Sequence, residues 1–550
     1  MDPASDNNNN APLILNQVYE PLVWFDKATT NLIPWLAESY NVSSDGLTYT
    51  FNLRKGITFH DGTAFNAQAV KFTLDRTVLI NDPASAVPYL NGHLVGAATY
   101  AASKKTSTDA QAYLANNAVE VVDDYTVNIH LASPDPVFPN YLTATDCFIV
   151  SPTWVNAHGG VTPGQPNTQM QQSPGQAGTG PFILTSWDAQ AQSAVLTRNA
   201  NYWGTPYGTG PAQLKTVIIK IIANENTRLL DLQAGGCDLT YLSPNVGLPQ
   251  IIDMPTWLNS GTIKVTAPGV AFRGPFPTLS VRYLAMCQNT KDTSGNPLPS
   301  QPFANKLIRQ AMSLAFDHAT YLSATYNNFA IQPNGCVAKG CFGYDPTIPL
   351  ATQNLDQAKQ LLNQAAQTLG FSPSNPLNVP IYYFTGSANG KNASTILASA
   401  VNGLNTGFNL QVNTMPAGAF FTAGNNSQLP AWVLGWPANF PDASEDVVAF
   451  GDPRLGPGSS IAVRAQYNDP AVVSLIDQQA VEQDPTKRAS LISQIVNDIN
   501  NDYAYIWLDQ PSDYFTVRDN VQGWSVSSSP NIVLSNHTAG LVYLYPVYRQ

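Results

Sequence analysis

The sequence is poor in charged residues. Only 11% of its 550 residues are Asp, Glu, Lys or Arg, well below the roughly 25% that is typical of soluble proteins. Acidic residues outnumber basic ones, and the net charge is −11. With so few cations, the chain offers no basic patch to displace counterions from phosphates, which excludes nucleic acid as a partner. Neutral amides and hydroxyls take the place of charges, which suits an extracellular setting.

Long apolar runs are also missing. No run approaches the length of about 18 residues that a membrane-spanning helix needs. The first ten residues, Met1-Asp-Pro-Ala-Ser-Asp-Asn-Asn-Asn-Asn10, have neither the basic nor the apolar region of an export signal. We therefore expect either a cytosolic protein or the mature form of an exported one, with the signal segment absent from this sequence.

Cysteines are few, and only two of the five are close in sequence. Cys336 and Cys341 lie in a glycine-containing loop, at a spacing that permits a small disulfide-closed loop. The spacing differs from that of a CxxC redox pair, and no histidine nearby completes a zinc site. We predict a disulfide between these two residues.

Patterns that mark catalysis are absent as well. The six histidines are scattered, with no pair at the spacing of a helical metal site. No serine has glycines two residues before and two after it, and Gly178-Thr-Gly-Pro-Phe182 lacks the lysine of a phosphate-binding loop. We therefore predict no metal, no cofactor and a binding protein rather than an enzyme. The sequence does not exclude a pair of carboxylates across a cleft, which glycoside hydrolysis requires.

The patterns that are present predict an α/β chain of two large lobes. Residues 47–59 alternate as a hairpin, and 217–222 form an apolar run that predicts a strand buried on both faces. Helical apolar faces recur over 307–322, 358–369 and 484–499. Two segments that break these patterns mark candidate domain crossings, and they are Gly159–Gly180 and Ala267–Gly269.

The stretch from Ala431 to Asp442 is the first candidate for a binding site. An apolar strand, Trp432 to Leu434, ends at Gly435-Trp436, and two prolines then force an extended loop. A strand that ends in a loop rich in aromatic and amide side chains is typical of the floor of a ligand cleft. A core strand followed by an ordinary turn is the alternative.

Short motifs in a fixed order give the chain a family resemblance. Each motif is weak alone, but together they cover most of the chain from about residue 15 to 525. In this order they resemble the large extracellular solute-binding proteins of ABC importers, the oligopeptide, dipeptide and nickel-binding family. The motifs are Val18-Tyr-Glu-Pro-Leu22, Leu36-Ala-Glu-Ser39, Thr50-Phe-Asn-Leu-Arg54, Phe59-His-Asp-Gly-Thr63, Gly178-Thr-Gly-Pro-Phe182, Tyr202-Trp203, Arg309-Gln-Ala-Met-Ser-Leu-Ala-Phe-Asp317 and Asn468-Asp-Pro470.

This resemblance implies a two-lobed, periplasmic-binding-protein-like α/β fold that closes on its ligand, with an extra subdomain inserted in the first lobe. It implies an exported, monomeric receptor without catalytic activity, membrane-anchored in its full-length form, which delivers a soluble ligand to an ABC permease. By similarity, the first lobe comprises 1–41, 179–268 and 507–550. The inserted subdomain spans 42–178, and the second lobe spans 269–506.

The resemblance also implies the ligand-binding residues. They are Tyr19 and Glu20 in the first lobe, and Trp436, Ala438, Asn439, Phe440 and Asp442 in the second.

Asn439 departs from the family pattern. Peptide-binding members carry an aspartate here that pairs with the peptide ammonium, whereas an amide supplies no charge-assisted bond. Asp442 is a candidate substitute. Two ligand classes therefore stay open: an oligopeptide or similar oligomer, and an oligosaccharide that would suit a neutral aromatic pocket. A glycan hydrolase is the remote alternative from another class.

Overall fold

The computed structural model describes residues 1–5, 11–26, 31–82, 87–173, 175–206, 208–456, 460–523, 532–533, 541–542 and 544–549. The chain forms two compact units. Unit 1 comprises Met1–Thr240, Gly269–Ala271 and Thr516–Gln550, and unit 2 comprises Tyr241–Pro268 and Phe272–Phe515. Among the described residues, no helix combines the length and apolar character that crossing a membrane requires.

The compact units divide the chain at different places from the predicted lobes. Residues 241–268 were expected in the first lobe, but they group with unit 2. Trp257 explains this, because its ring stacks on Phe329 at 4.3 Å and its indole N–H donates to the Asn327 carbonyl. The chain changes unit between Pro268 and Gly269, within one expected crossing, whereas the other expected crossing lies inside unit 1. The limits of the inserted subdomain stay a prediction.

Unit 1 contains a four-stranded antiparallel sheet in the order β3-β4-β6-β5, a three-stranded sheet in the order β11-β8-β7, and short strand pairs. Its strands up to residue 240 are β1 (Val23–Phe25), β2 (Leu32–Pro34), β3 (Ala37–Val42), β4 (Thr48–Leu53), β5 (Val119–Asp123), β6 (Thr126–His130), β7 (Phe182–Asp188), β8 (Ser193–Arg198), β9 (Gly204–Thr205), β10 (Gly208–Thr209), β11 (Thr216–Lys220) and β12 (Leu239–Thr240). Its helices are α1 (Ala11–Val18), α2 (Ala67–Ile80), α3 (Val87–His93), α4 (Ala97–Ala101), α5 (Ser107–Leu114), α6 (Phe138–Tyr141), α7 (Pro152–Ala157), α8 (Thr168–Gln172) and α9 (Glu225–Ala234).

One strand of unit 1 contradicts the sequence-based expectation. The run 217–222 was predicted to be buried on both faces, yet Ile218 in β11 is 60% exposed. Among the described strands, β11 pairs only with β8, at the edge of its sheet, and it is antiparallel to that strand. A continuous apolar run predicts full burial only for a central strand covered on both faces, and this edge strand is not one.

Unit 2 is built on a mixed sheet in the order β19-β14-β18-β16-β17. Its strands are β13 (Val270–Pro277), β14 (Ser280–Met286), β15 (Ala330–Ile331), β16 (Leu377–Phe384), β17 (Phe408–Met415), β18 (Ala431–Pro437) and β19 (Tyr505–Arg518). The first two residues of β13 and the last three of β19 belong to unit 1. Its helices are α10 (Met254–Ser260), α11 (Lys306–Ala315), α12 (His318–Tyr326), α13 (Leu355–Leu369), α14 (Ala388–Gly403), α15 (Ala417–Asn425), α16 (Ser444–Gly451), α17 (Ile461–Ala465), α18 (Pro470–Val481) and α19 (Pro485–Asn501). Strands β20 (Val521–Gln522), β21 (Ile532–Val533), β22 (Leu541–Val542) and β23 (Tyr548–Arg549) follow in unit 1.

The order of strands in unit 2 creates a switch point at one end of the sheet. β16 runs parallel to both β17 and β18 and lies between them. The chain therefore leaves β16 toward β17 and later returns to its other side as β18. In open α/β sheets, ligands bind beyond the carboxyl ends of the strands at such a switch point. β18, which ends at Pro437, reaches this edge.

Helix caps follow the sequence closely. Asn66 caps α2 by accepting from the Ala69 N–H, and Asp484 caps α19 ahead of Pro485, both as predicted. The helical face predicted over 307–322 is divided between α11 and α12, because the chain breaks at Phe316 and Asp317 caps the second helix. Alternation in β4 buries Tyr49, Phe51 and Leu53 on one face.

We expect Gly178→Ala to destabilise unit 1. A Cβ at Gly178 would lie 1.9 Å from the Val18 carbonyl oxygen, and a backbone clash of this kind costs about 3 kcal/mol or more. Gly418→Ala is the matched control, because a Cβ there meets nothing within 4 Å and alanine is favoured in a helix by up to about 1 kcal/mol. Urea denaturation followed by circular dichroism measures both, and equal midpoints would contradict the prediction.

Candidate functional site

Glu20, a predicted ligand-binding residue, is an interior group of unit 1. It is 2% exposed, and its carboxylate accepts four hydrogen bonds. Trp35 Nε1 (2.9 Å) and Tyr202 OH (2.6 Å) donate to Oε1, while Thr179 Oγ1 (2.7 Å) and Trp203 Nε1 (3.0 Å) donate to Oε2. Burial raises the pKa of Glu20, and these four donors oppose the rise.

The motifs that carry the family resemblance meet around this carboxylate. Gly180 N–H donates to the Val18 carbonyl at 3.0 Å, which brings the glycine motif against the end of α1 and places Thr179 on Glu20. His60 N–H donates to the Gly178 carbonyl, and His60 Nε2 lies 2.9 Å from the Gly180 carbonyl. Burial lowers the pKa of His60 to about 4, so it is neutral at pH 7.

Tyr19 is buried too, and its hydroxyl donates to the Met1 carbonyl at 3.1 Å. The contacts seen for Tyr19 and Glu20 are thus internal to unit 1. Their part in ligand binding, which the resemblance implies, stays a prediction.

The end of β18 carries the remaining predicted residues. Trp436 is half-buried, and its ring meets Phe450 of α16 edge-on at 6.1 Å. Ala438 is buried, and its N–H donates to the Leu279 carbonyl at 2.9 Å. Phe440 is 3% exposed, so its ring belongs to the interior of unit 2 rather than to a surface that a ligand can touch directly.

Asp442 has an internal partner. Arg488 of α19 donates to both of its carboxylate oxygens, at 2.8 and 2.5 Å, and the guanidinium lies over the Phe342 ring at 4.9 Å. Ser444 N–H adds a further bond at 2.9 Å. A bidentate pair of this kind fixes the loop after β18. The hypothesis that Asp442 substitutes for the family aspartate loses its support, because Arg488 neutralises its charge and Asp442 is only 4% exposed.

Glu445 is the functional candidate that the sequence analysis missed. The backbone N–H of Asn439 donates to Glu445 Oε2 at 2.9 Å, and the Asn439 side-chain amide donates to Oε1. A half-buried carboxylate therefore lies at the position that was predicted to be neutral. The expectation of a neutral pocket is wrong here, because the charge comes from the first turn of α16. In the sequence, the adjacent acidic residues Glu445 and Asp446 were the signal that could have identified this charge.

Asp446 is a buried acid beside this pair. It is 2% exposed, and burial raises its pKa well above the usual value, with Glu445 and Asp442 adding to the rise. The indole N–H of Trp436 faces this carboxyl and opposes the rise. Even so, Asp446 Oδ2 and Trp436 Nε1 are both buried without a well-formed hydrogen bond among the described residues. Asp446 is therefore expected to hold a proton well above its usual titration range.

Cys336 and Cys341 do not form the predicted disulfide. Both are buried with free thiols, and burial together with the nearby Asp446 raises the pKa of each. A short spacing permits a disulfide but does not impose the geometry it needs. Across the described part of the chain, no group of three or more His, Cys, Asp or Glu side chains has the arrangement of a metal site.

The fold and these motifs define a two-lobed solute-binding protein. The family model for bacterial extracellular solute-binding proteins, family 5, matches residues 31–455. The chain belongs to this family, which comprises substrate-binding components of transporters rather than enzymes. The two-lobed α/β fold implied by the resemblance is confirmed.

Known proteins resemble the chain over most of its length. It is 27% identical to heme-binding protein A of Haemophilus influenzae, over 92% of this chain and 84% of that protein. It is 28% identical to the glutathione-binding protein GsiB of Shigella flexneri, over 68% of this chain and 60% of that protein. The solved structure of DppA from Helicobacter pylori in complex with the peptide STSA matches with a TM-score of 0.68 and 21% identity, over 100% of this chain and 95% of that one.

We expect Asp446→Asn to remove a pH dependence of stability. A carboxyl whose pKa is raised on folding binds its proton more tightly in the native state, so wild-type stability falls as pH rises from the unfolded pKa of about 4 toward the native value. Asparagine mimics the protonated acid and does not titrate. The variant should match wild type near pH 4 and exceed it at pH 7, by about 1.4 kcal/mol for each unit by which the native pKa of Asp446 exceeds the unfolded one.

Urea denaturation at a series of pH values measures this difference. The exposed Asp356 of α13 provides the matched control, since Asp356→Asn makes the same substitution at an exposed position. Parallel profiles for wild type and Asp446→Asn would contradict the prediction.

Proposed function

We propose that the protein is the extracellular receptor of an ABC importer, which captures a peptide or peptide-like solute with a free amino group and delivers it to the permease. We further propose that it acts as a monomer and is anchored to the membrane in its full-length form. Family membership supports the receptor role. The observation that carries the ligand class is the Glu445 carboxylate at Asn439.

Glu445 supplies the anion that Asn439 lacks. A protonated amine that leaves water needs a charged acceptor, and removing such a partner costs about 2–5 kcal/mol. The two Asn439 donors hold the carboxylate in place, and this preorganisation lowers the entropy lost on binding. Asn439 thus positions the charge instead of carrying it.

Two named relatives make a peptide-like ligand the favoured class. GsiB is named for glutathione, a tripeptide, and the DppA structure holds a peptide. The oligosaccharide alternative rested on a neutral site at Asn439, and the charge of Glu445 removes that support. The hydrolase alternative is not proposed, because the family consists of binding components.

The first test measures binding by thermal shift and calorimetry, with glutathione and the tetrapeptide Ser-Thr-Ser-Ala as probes. Each probe is compared with its N-acetylated form, and mass spectrometry identifies whatever copurifies with the chain. We expect the free amines to raise the melting temperature and the acetylated forms to do so less. Stabilisation by neutral oligosaccharides alone, or turnover of a glycan, would overturn the proposal.

Glu445→Gln should weaken binding of the free-amine probe by roughly 30-fold or more, the equivalent of about 2 kcal/mol. Binding of the acetylated probe should change little. Glu38→Gln is the control, because Glu38 is an exposed glutamate of unit 1. Equal losses for both forms of the probe would show that Glu445 does not bind the amine.

Asn439→Asp should lower the free energy of unfolding, since it sets a second carboxylate against Glu445.

A further inference from the structure

Asp446 is an interior acid directly beside the residue that the proposed function assigns to the ligand's amine. It follows Glu445 in the first turn of α16, but the two side chains differ in burial. Glu445 is half-buried and accepts hydrogen bonds from Asn439, whereas Asp446 is 2% exposed. An ammonium that binds Glu445 therefore comes close to a second carboxyl group, which it does not need for its own hydrogen bonds.

The charged groups that face Asp446 are negative. Glu445 precedes it in α16 and Asp442 lies in the loop before that helix, and both carboxylates act on Asp446 through their charge. Arg488 of α19 is a cation of this region, but it makes its bidentate pair with Asp442. In the part of the chain that the structure describes, Asp446 forms no ion pair of its own.

The neighbouring segments do not supply a compensating charge either. The thiols of Cys336 and Cys341 approach Asp446 from the loop between β15 and α13, and burial raises the pKa of both, so they are neutral at pH 7. Arg282 of β14, the strand that pairs with β18, forms its ion pair with buried Asp509 at 3.1 Å. Burial and the negative neighbours therefore hold a proton on Asp446.

Two other features favour loss of that proton. The indole N–H of Trp436 faces the Asp446 carboxyl and opposes the rise of its pKa. The first turn of α16 carries partial positive charge, which favours an anion. The two sets of effects oppose each other, so a change of charge at Glu445 shifts the balance between the protonated and ionised forms of Asp446. Salt screens such an interaction only weakly, because Asp446 is buried.

We propose that the protein exchanges a proton for its ligand's ammonium: when the ammonium binds Glu445, Asp446 releases its proton. The ammonium neutralises Glu445, so the Asp446 carboxylate loses a repulsive neighbour and gains a nearby cation. The O–H bond of the carboxyl group breaks, its electron pair stays on the carboxylate, and a base in the buffer takes the proton. The inference rests on the proposed function for the amine, and it adds the regulation of that same site by pH.

Thermodynamic linkage gives the direction of the effect. Since the complex holds fewer protons than the free protein, the affinity for the amine rises with pH across the range in which Asp446 titrates. The affinity falls again as the pH drops through that range, because the proton returns to Asp446 and the ligand's cation loses a negative neighbour. A more acidic medium therefore favours release of the ligand.

Calorimetry in buffers of different ionisation enthalpy counts the protons released on binding. The probes are Ser-Thr-Ser-Ala and its N-acetylated form, between about pH 5 and pH 7, where an α-amino group with a pKa of about 7.7–8.0 stays protonated. In wild type, the free amine should release up to one proton and bind roughly threefold or more tightly at the upper end of this range. The acetylated form should release none.

Two variants identify the source of the proton. Asp446→Asn should still bind the free amine, but without proton release, because asparagine does not titrate. Asp356→Asn should behave like wild type. Amine binding whose heat is the same in every buffer would overturn the inference and leave the proposed function intact, and so would proton release that persists in Asp446→Asn. Equal binding of the two probes would contradict the proposed function itself.

Urea denaturation tests the same coupling without a ligand. Glu445→Gln removes the negative neighbour that a bound ammonium would neutralise, so Asp446 should lose its proton at a lower pH. The gain in stability from Asp446→Asn at about pH 8 should therefore be smaller in the Glu445→Gln background than in wild type. An equal gain in both backgrounds would overturn the coupling, even if wild type binds neither probe.

Discussion

The burial of the Glu20 carboxylate is the constraint on which unit 1 depends. Its acceptor sites must be filled once water is removed, because an unsatisfied buried charge is among the most destabilising features a fold can have. Four side-chain donors fill them, and they come from segments as far apart as Trp35 and Trp203. The glycines around Thr179 follow from the same requirement, since a Cβ at Gly178 would strike the Val18 carbonyl. Several short motifs thus share one physical cause.

Unit 2 uses its carboxylates in three different ways within one short segment. Asp442 is neutralised by Arg488 and shapes the loop. Asp446 is buried without a cation, which favours its protonated form. Glu445 lies between these extremes, half-buried and held by Asn439. Of the three, it alone combines access to solvent with a fixed position, and this combination is what a ligand-binding charge requires.

Much of the fold followed from the sequence, because local rules govern it. Caps at Asn66 and Asp484 form where a polar side chain precedes an apolar face. The strand predicted from Trp432 to Leu434 is present, but it runs on to Pro437, because Gly435 and Trp436 still pair with β14. The exposure of Ile218 did not follow, since nothing local states whether a strand lies at a sheet edge.

The candidate site was predicted less completely than the fold. The segment after β18 was identified, but its charge was not, because Glu445 reaches back to Asn439 across six positions and only the turn into α16 brings the two together. The place of Arg282 depends on pairing between β14 and β18, which lie about 150 residues apart in a sequence that has no local signal for that register.

Arg282 and the acidic segment that contains Glu445 lie near the end of β18 and have opposite charges. The geometry of a strand explains why they can coexist. Successive side chains point to opposite faces, so Gly435, beside Arg282, and Trp436, beside Asp446, face different sides of the sheet. The sheet therefore separates Arg282 from the acidic segment, and the guanidinium pairs instead with buried Asp509.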